Sequence, residues 1–214
     1  MIAFLVAVAI ANPEIQPWPL PNETERQALT KRYVQEHCGT SCMLEADEYP
    51  VEMTPKLVVV HWTASSTAKS AWNTFAGATL AGRRDLSSGG SLNVSAHYLV
   101  DRDGTIYELL PPSRIARHCI GLNHLSIGIE NVGNGSTHPL TEAQIAANVA
   151  LIRQLASTYP ITHLIGHHEH NAMEGHPYFQ EQDPKYRTTK IDPGAEIMRQ
   201  IRMGLADLEL QGPP

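Results

Sequence analysis

Cysteine is scarce in this chain. Only Cys38, Cys42 and Cys119 are present. Three cannot all pair and no two form a CxxC, so a four-cysteine zinc knuckle is excluded. Cys38 and Cys42 are spaced for a small local disulfide if the protein is exported. Positive charge is short too: 16 Lys and Arg against 22 Asp and Glu leave a net charge of −6. No broad basic face is therefore available for nucleic acid or an anionic lipid surface. The pattern HExxH is missing, which excludes the helical zincin arrangement. There is no internal repeat. The apolar run from Ile2 to Ala11 is far too short to span a bilayer. It resembles the apolar part of a secretory signal, and Ala9-Ile10-Ala11 has the small-x-small form of a cleavage site, although the positive start of such a signal is missing. The alternative is a buried strand. Export, periplasmic or extracellular, is the expectation. No cysteine follows the run, so no lipoprotein anchor is indicated.

What is there fits an ordinary globular domain. The 214 residues are 42% hydrophobic and 18% charged, enough for one core plus a short N-terminal extension. The expected organisation is a signal remnant over 1–11, an extension over 12–54 and the main domain over 55–210, acting as a monomer without a membrane span. Residues 12–24 are proline-rich and read as irregular. A helix is expected over 24–37, capped by Thr24. Leu57-Val58-Val59-Val60 reads as a strand buried on both faces, ending in His61. Residues 66–80 read as a helix and 81–93 as a Gly/Ser-rich loop. Two apolar runs, 96–100 and 105–109, flank an Asp-Gly turn and predict a hairpin. Ser126-Ile127-Gly128-Ile129-Glu130 is a further short strand. Thr141 and Gln144 form a capping box before a helix with Ile145, Val149, Ile152 and Leu155 at helical spacing. Leu164-Ile165-Gly166 leads into His167. A last helix is expected after Asp192, with Pro193 in its first position. The mixture predicts an α/β domain with a mixed sheet flanked by helices.

Histidine is the abundant residue, with 11 copies. It is the commonest metal ligand and proton shuttle. His61 and His167 each follow an apolar run, where a side chain is firmly held at the rim of a sheet. Each also reads as a structural histidine, and His168 and His170 compete with His167. Asp192 supplies a carboxylate, or merely an N-cap. Two histidines and a carboxylate make a common catalytic zinc set with one position left open. Glu130 closes its strand as a general base or as a residue meeting solvent. Lys190, two residues before Asp192, projects to the same side in extended chain.

Together these segments resemble the type 2 N-acetylmuramoyl-L-alanine amidases, a superfamily that includes phage amidase lysozymes and peptidoglycan recognition proteins. The stretches that carry the resemblance are Val58-Val59-Val60-His61-Trp62-Thr63, Asn93 to Gly104, Ala116-Arg117-His118, Ser126 to Glu130, Gly166-His167 and Lys190 to Gly194. They occur in the family's order across roughly 55–205. The resemblance implies one Zn2+ held by His61, His167 and Asp192, a catalytic Glu130, and Lys190 at the developing oxyanion. It implies substrate contacts from His118 and from Tyr98. It implies hydrolysis of the amide between the lactyl group of N-acetylmuramic acid and L-alanine, in peptidoglycan or muropeptides. A non-catalytic peptidoglycan-binding protein and a zinc peptidase cutting within the stem peptide are the alternatives. The long stretch between Gly166 and Lys190 is a departure, read as an added loop over the site.

Overall fold

The computed structural model describes residues 12–44 and 48–214. The apolar segment behind the export reading lies outside them. Six strands form one mixed sheet in the order β1-β4-β3-β5-β2-β6. They are β1 (Ile15–Pro17), β2 (Leu57–Trp62), β3 (Tyr98–Val100), β4 (Ile106–Glu108), β5 (Ser126–Asn131) and β6 (His163–Gly166). Four helices pack around them: α1 (Glu23–His37), α2 (Ala68–Ala76), α3 (Glu142–Thr158) and α4 (Ala195–Met203). Among the described residues no helix is long and apolar enough to cross a membrane.

The central strand β2 explains the architecture. Leu57, Val58, Val59 and Val60 are all completely buried, because β2 is parallel to β5 on one side and to β6 on the other. Its side chains alternate between two layers. Val58 and Val60 join Ile127, Ile129 and residues of α3 and α4 in one cluster. Leu57 and Val59 pack with Ile165, Leu122 and Cys119 on the opposite face. On that second face Leu99 of β3 meets Ala71 and Phe75 of α2. Each fully buried aliphatic side chain contributes roughly 1.5–3 kcal/mol.

Several boundaries differ from expectation. The hairpin is β3 and β4, antiparallel but only three residues a side. The proline-rich segment holds β1, parallel to β4 at the sheet edge, a position where proline costs no ladder hydrogen bond. The first helix starts at Glu23 with Asn22 before it and no side-chain cap, rather than at Thr24. Its Arg26 donates to the carbonyls of Phe75 at 2.8 Å and Gly77 at 3.0 Å, satisfying orphan groups at the end of α2. Cys38 and Cys42, just past α1, form a disulfide. The capping box of α3 is present, with Thr141 accepting from Gln144 N–H and Gln144 accepting from Thr141 N–H. Gln144 also donates to the carbonyls of Val100 and Val132, which fastens α3 to the sheet. The last helix begins at Ala195 with Gly194 at its cap position. Asp192 therefore caps no helix.

Candidate active site

Parallel pairing assembles the site. In the register of β2 and β5, His61 stands opposite Glu130. In that of β2 and β6, Val60 stands opposite Gly166, which places His167 beside His61. Strand β2 continues through His61 to Trp62, so His61 lies within the strand and not past its end. His61, His167 and Asp192 are all buried, and one ligand atom from each lies within 4.8 Å of the others. The Nδ1 atoms of His61 and His167 are 2.9 Å apart. Asp192 Oδ2 is 3.1 Å from the His167 nitrogen and 3.4 Å from that of His61.

The rest of the histidine tract holds this geometry. His168 donates its backbone N–H to the Asp192 carbonyl at 2.7 Å, and its Nδ1 is 3.2 Å from the same oxygen. His170 Nδ1 binds the His167 carbonyl at 2.7 Å. Glu169 accepts from Gly166 N–H at 2.7 Å and is paired with Arg202 of α4. His168 and His170 thus fix the loop, and only His167 presents its ring to His61 and Asp192.

Electrostatics separate the carboxylates. Burial alone would raise Asp192, but the His167 and His61 rings beside it outweigh that and hold Asp192 well below the usual range. Burial pushes His167 down to about 3, with His61 adding to the shift. Glu130 has no such donors among the described residues. Burial raises it to about 7 against the pull of His61 and Lys190. Its Oε2 is buried and has no hydrogen-bond partner among the described residues. A carboxylate left so is the costly arrangement a folding chain avoids unless the site uses it.

These groups line a cavity of about 240 Å³, together with Lys190, His118 and Thr188. Loop 174–190 contributes Tyr186, Thr188 and Lys190 to the wall. Thr188 Oγ1 is buried without a partner among the described residues. His118 lines the cavity, but both its ring nitrogens engage protein atoms. Tyr98 is elsewhere. It is buried in the cluster with Ile129 and α3, on the face of the sheet away from the site. Its register partner is Ile129, one residue before Glu130, and the period of two sends it to the wrong side. Cys119 is buried beside the cavity, where burial pushes its thiol up and keeps it protonated.

Arg117 went without a role in the sequence. It is almost fully buried and donates to the carbonyls of Leu86, Gly90 and Leu92 and to the Tyr186 hydroxyl. One guanidinium thus ties segment 84–92 to loop 174–190. Arg117→Met would leave these acceptors buried and unpaired, each costing about 1–3 kcal/mol. A loss of about 3 kcal/mol is expected, read as a lower urea midpoint at unchanged slope. A loss below about 1 kcal/mol, within the range of ordinary surface substitutions, would mean that the wall is held by something else.

The chain is similar to known proteins along most of its length. The sequence profile described as N-acetylmuramoyl-L-alanine amidase matches residues 51–195. The endolysin of Enterobacteria phage K11 is 29% identical over 85 residues, which are 37% of this chain and 56% of that protein. The chain thus matches about half the length of that relative. Among solved structures, the endolysin N-acetylmuramoyl-L-alanine amidase LysCS from Clostridium intestinale URNW superposes with a TM-score of 0.56 at 18% identity, covering 94% of this chain and 99% of that one. AmpD gives 0.54 at 23% identity, covering 89% and 94%. These two likenesses are of fold. The profile match, which spans well over half of the residues, is of family: the chain belongs to the type 2 N-acetylmuramoyl-L-alanine amidases.

Proposed function

We propose that this protein is a zinc-dependent N-acetylmuramoyl-L-alanine amidase that hydrolyses the amide between the lactyl group of N-acetylmuramic acid and L-alanine. The observation that carries the reading is the convergence of two imidazole nitrogens and one carboxylate oxygen beside an unpartnered Glu130. The donor set fits Zn2+. Ligand bonds of about 2.0–2.1 Å at tetrahedral angles set donor atoms roughly 3.3 Å apart. The observed separations are 2.9, 3.1 and 3.4 Å, a near match. His61, His167 and Asp192 would hold it, and the cavity side stays open. When bound, the ion supplies Lewis acidity, acidifying a water and polarising the amide carbonyl.

The chain's own residues do the rest. Glu130, on the strand next to His61, accepts the proton of the attacking water and returns it to the departing amine of L-alanine. Lys190 places a positive charge where the carbonyl oxygen becomes negative. The buried hydroxyl of Thr188 is available to hydrogen-bond the substrate. The catalytic domain is taken as 55–210, with 12–54 bracing it through β1 and α1. The family relation and the phage endolysin relative support wall peptidoglycan as the substrate. Reaching the wall is where the export reading of residues 1–11 enters.

Digestion of purified peptidoglycan, with mass spectrometry of the products, tests the bond assignment. Free L-alanine amino termini on intact stem peptides are expected. Cleavage between stem residues would show a peptidase instead. Release of nothing by zinc-loaded protein would show a binding protein.

A further inference from the structure

Each ring nitrogen of His61 has a different neighbour. Nδ1 faces His167 and Asp192. Nε2 faces His118 Nδ1 at 3.1 Å. The other side of His118 settles which of the two nitrogens holds the proton. His118 Nε2 lies 3.1 Å from the Ser126 carbonyl, which can only accept. The Ser126 hydroxyl, 3.3 Å from the same nitrogen, donates to the Leu122 carbonyl at 2.7 Å. A neutral imidazole has one ring proton. In His118 it is committed to Ser126, so Nδ1 presents a lone pair and His61 Nε2 must be the donor.

The ring is held in that pose from both sides. A Cβ at Gly128 would stand 2.7 Å from His118 Cγ, so the absence of a side chain there lets the imidazole lie against β5. On the far flank His97 lies edge-on at 5.7 Å. Its own nitrogens are engaged: Nδ1 accepts from Gly128 N–H at 2.9 Å and Nε2 donates to the Arg114 carbonyl at 2.7 Å.

We propose that His118 is a positioning residue, which accepts the Nε2–H of His61 and so fixes the tautomer whose Nδ1 lone pair faces His167 and Asp192. The chain Ser126 carbonyl, His118, His61 then orients the first metal ligand from behind. This rests on the reading of His61, His167 and Asp192 as metal ligands. It replaces a direct hydrogen bond from His118 to substrate. Outer partners of this kind are worth about 10- to 100-fold in metal affinity.

The first measurement is long-range 1H–15N correlation on metal-free wild-type protein labelled at histidine. Both His61 and His118 are expected as Nε2–H tautomers. His61 found as Nδ1–H would overturn the proposal. The second is zinc affinity by chelator competition, with unfolding of each metal-free variant recorded beside it. His118→Phe keeps a ring but no acceptor, and is expected to bind zinc about 10- to 100-fold more weakly. His118→Asn offers an amide oxygen in place of Nδ1 and is expected to recover most of that loss. Wild-type affinity in His118→Phe would also overturn the proposal. A wild-type protein that binds no zinc, yet shows both Nε2–H tautomers, would remove the metal reading of the site and leave the tautomer lock supported.

Discussion

Glu130→Gln is expected to lower the rate of peptidoglycan hydrolysis by about 10²- to 10⁴-fold, the usual contribution of a positioned acid–base group, with zinc content unchanged. Glutamine keeps the shape of the side chain and the register of β5. It removes only the ability to take and return a proton. In the metal-free protein burial raises Glu130 to about 7. A second, activity-free readout follows from the same shift. Below the unfolded value of 4.5 the group is protonated in both states and has no effect on stability. As pH rises toward 7 the unfolded chain ionises first, so Glu130 increasingly destabilises the folded protein. Metal-free Glu130→Gln is therefore expected to be more stable than wild type at pH 8, by about 3 kcal/mol, and equal to it near pH 4. Full activity in the variant, measured by release of alanine amino termini, would remove Glu130 as the base.

Much of this site is legible in the amino-acid sequence, and the reason is local. His61 and Glu130 lie in runs of apolar residues that can only be buried strands, and two such strands side by side bring polar residues at matching depths together. The capping box at Thr141 is legible because it is a contact between residues three apart. What stays hidden depends on partners distant in sequence. Arg117 draws on Leu86, Gly90, Leu92 and Tyr186, which no spacing rule connects. β1 is short and proline-bearing, and is a strand only because β4 lies beside it. Tyr98 misses the site by one residue of register, since a strand that looks favourable end to end still points alternate side chains to opposite faces. His118 lines the cavity, but the atoms its ring nitrogens meet, at Ser126 and His61, lie on two strands that no spacing rule connects to it. Asp192 shows the reverse. Asp before Pro suggests a cap, yet the helix starts further on, at Ala195, and the carboxylate is free to turn toward the histidines.

Removing that carboxylate should separate metal binding from chemistry most sharply. Asp192→Ala and His61→Ala are each expected to lose zinc on gel filtration and to hydrolyse peptidoglycan only at background, whereas Glu130→Gln keeps its metal. In wild type the three donors are ready for a cation. Asp192 remains ionised because His167 and His61 outweigh its burial, and His167 is held neutral, so protons do not compete for it near pH 7. Two imidazole lone pairs and one carboxylate offer a cation a single negative charge, so a bound divalent ion would leave a single positive charge beside Lys190 and Glu130. Alanine at 192 removes the one carboxylate of the donor set and leaves two imidazoles. Thermal unfolding reads this without any substrate. Ligand at about 100 times its Kd stabilises a folded protein by about 2.7 kcal/mol, so added zinc should raise the unfolding temperature of wild type and of Glu130→Gln by several degrees. Asp192→Ala and His61→Ala should show no rise. If Asp192→Ala shifted as far as wild type, the third ligand would have to come from elsewhere. His170 would then be the residue to replace next, because its Nε2 is buried without a partner among the described residues and its ring lies 5.1 Å from that of His167.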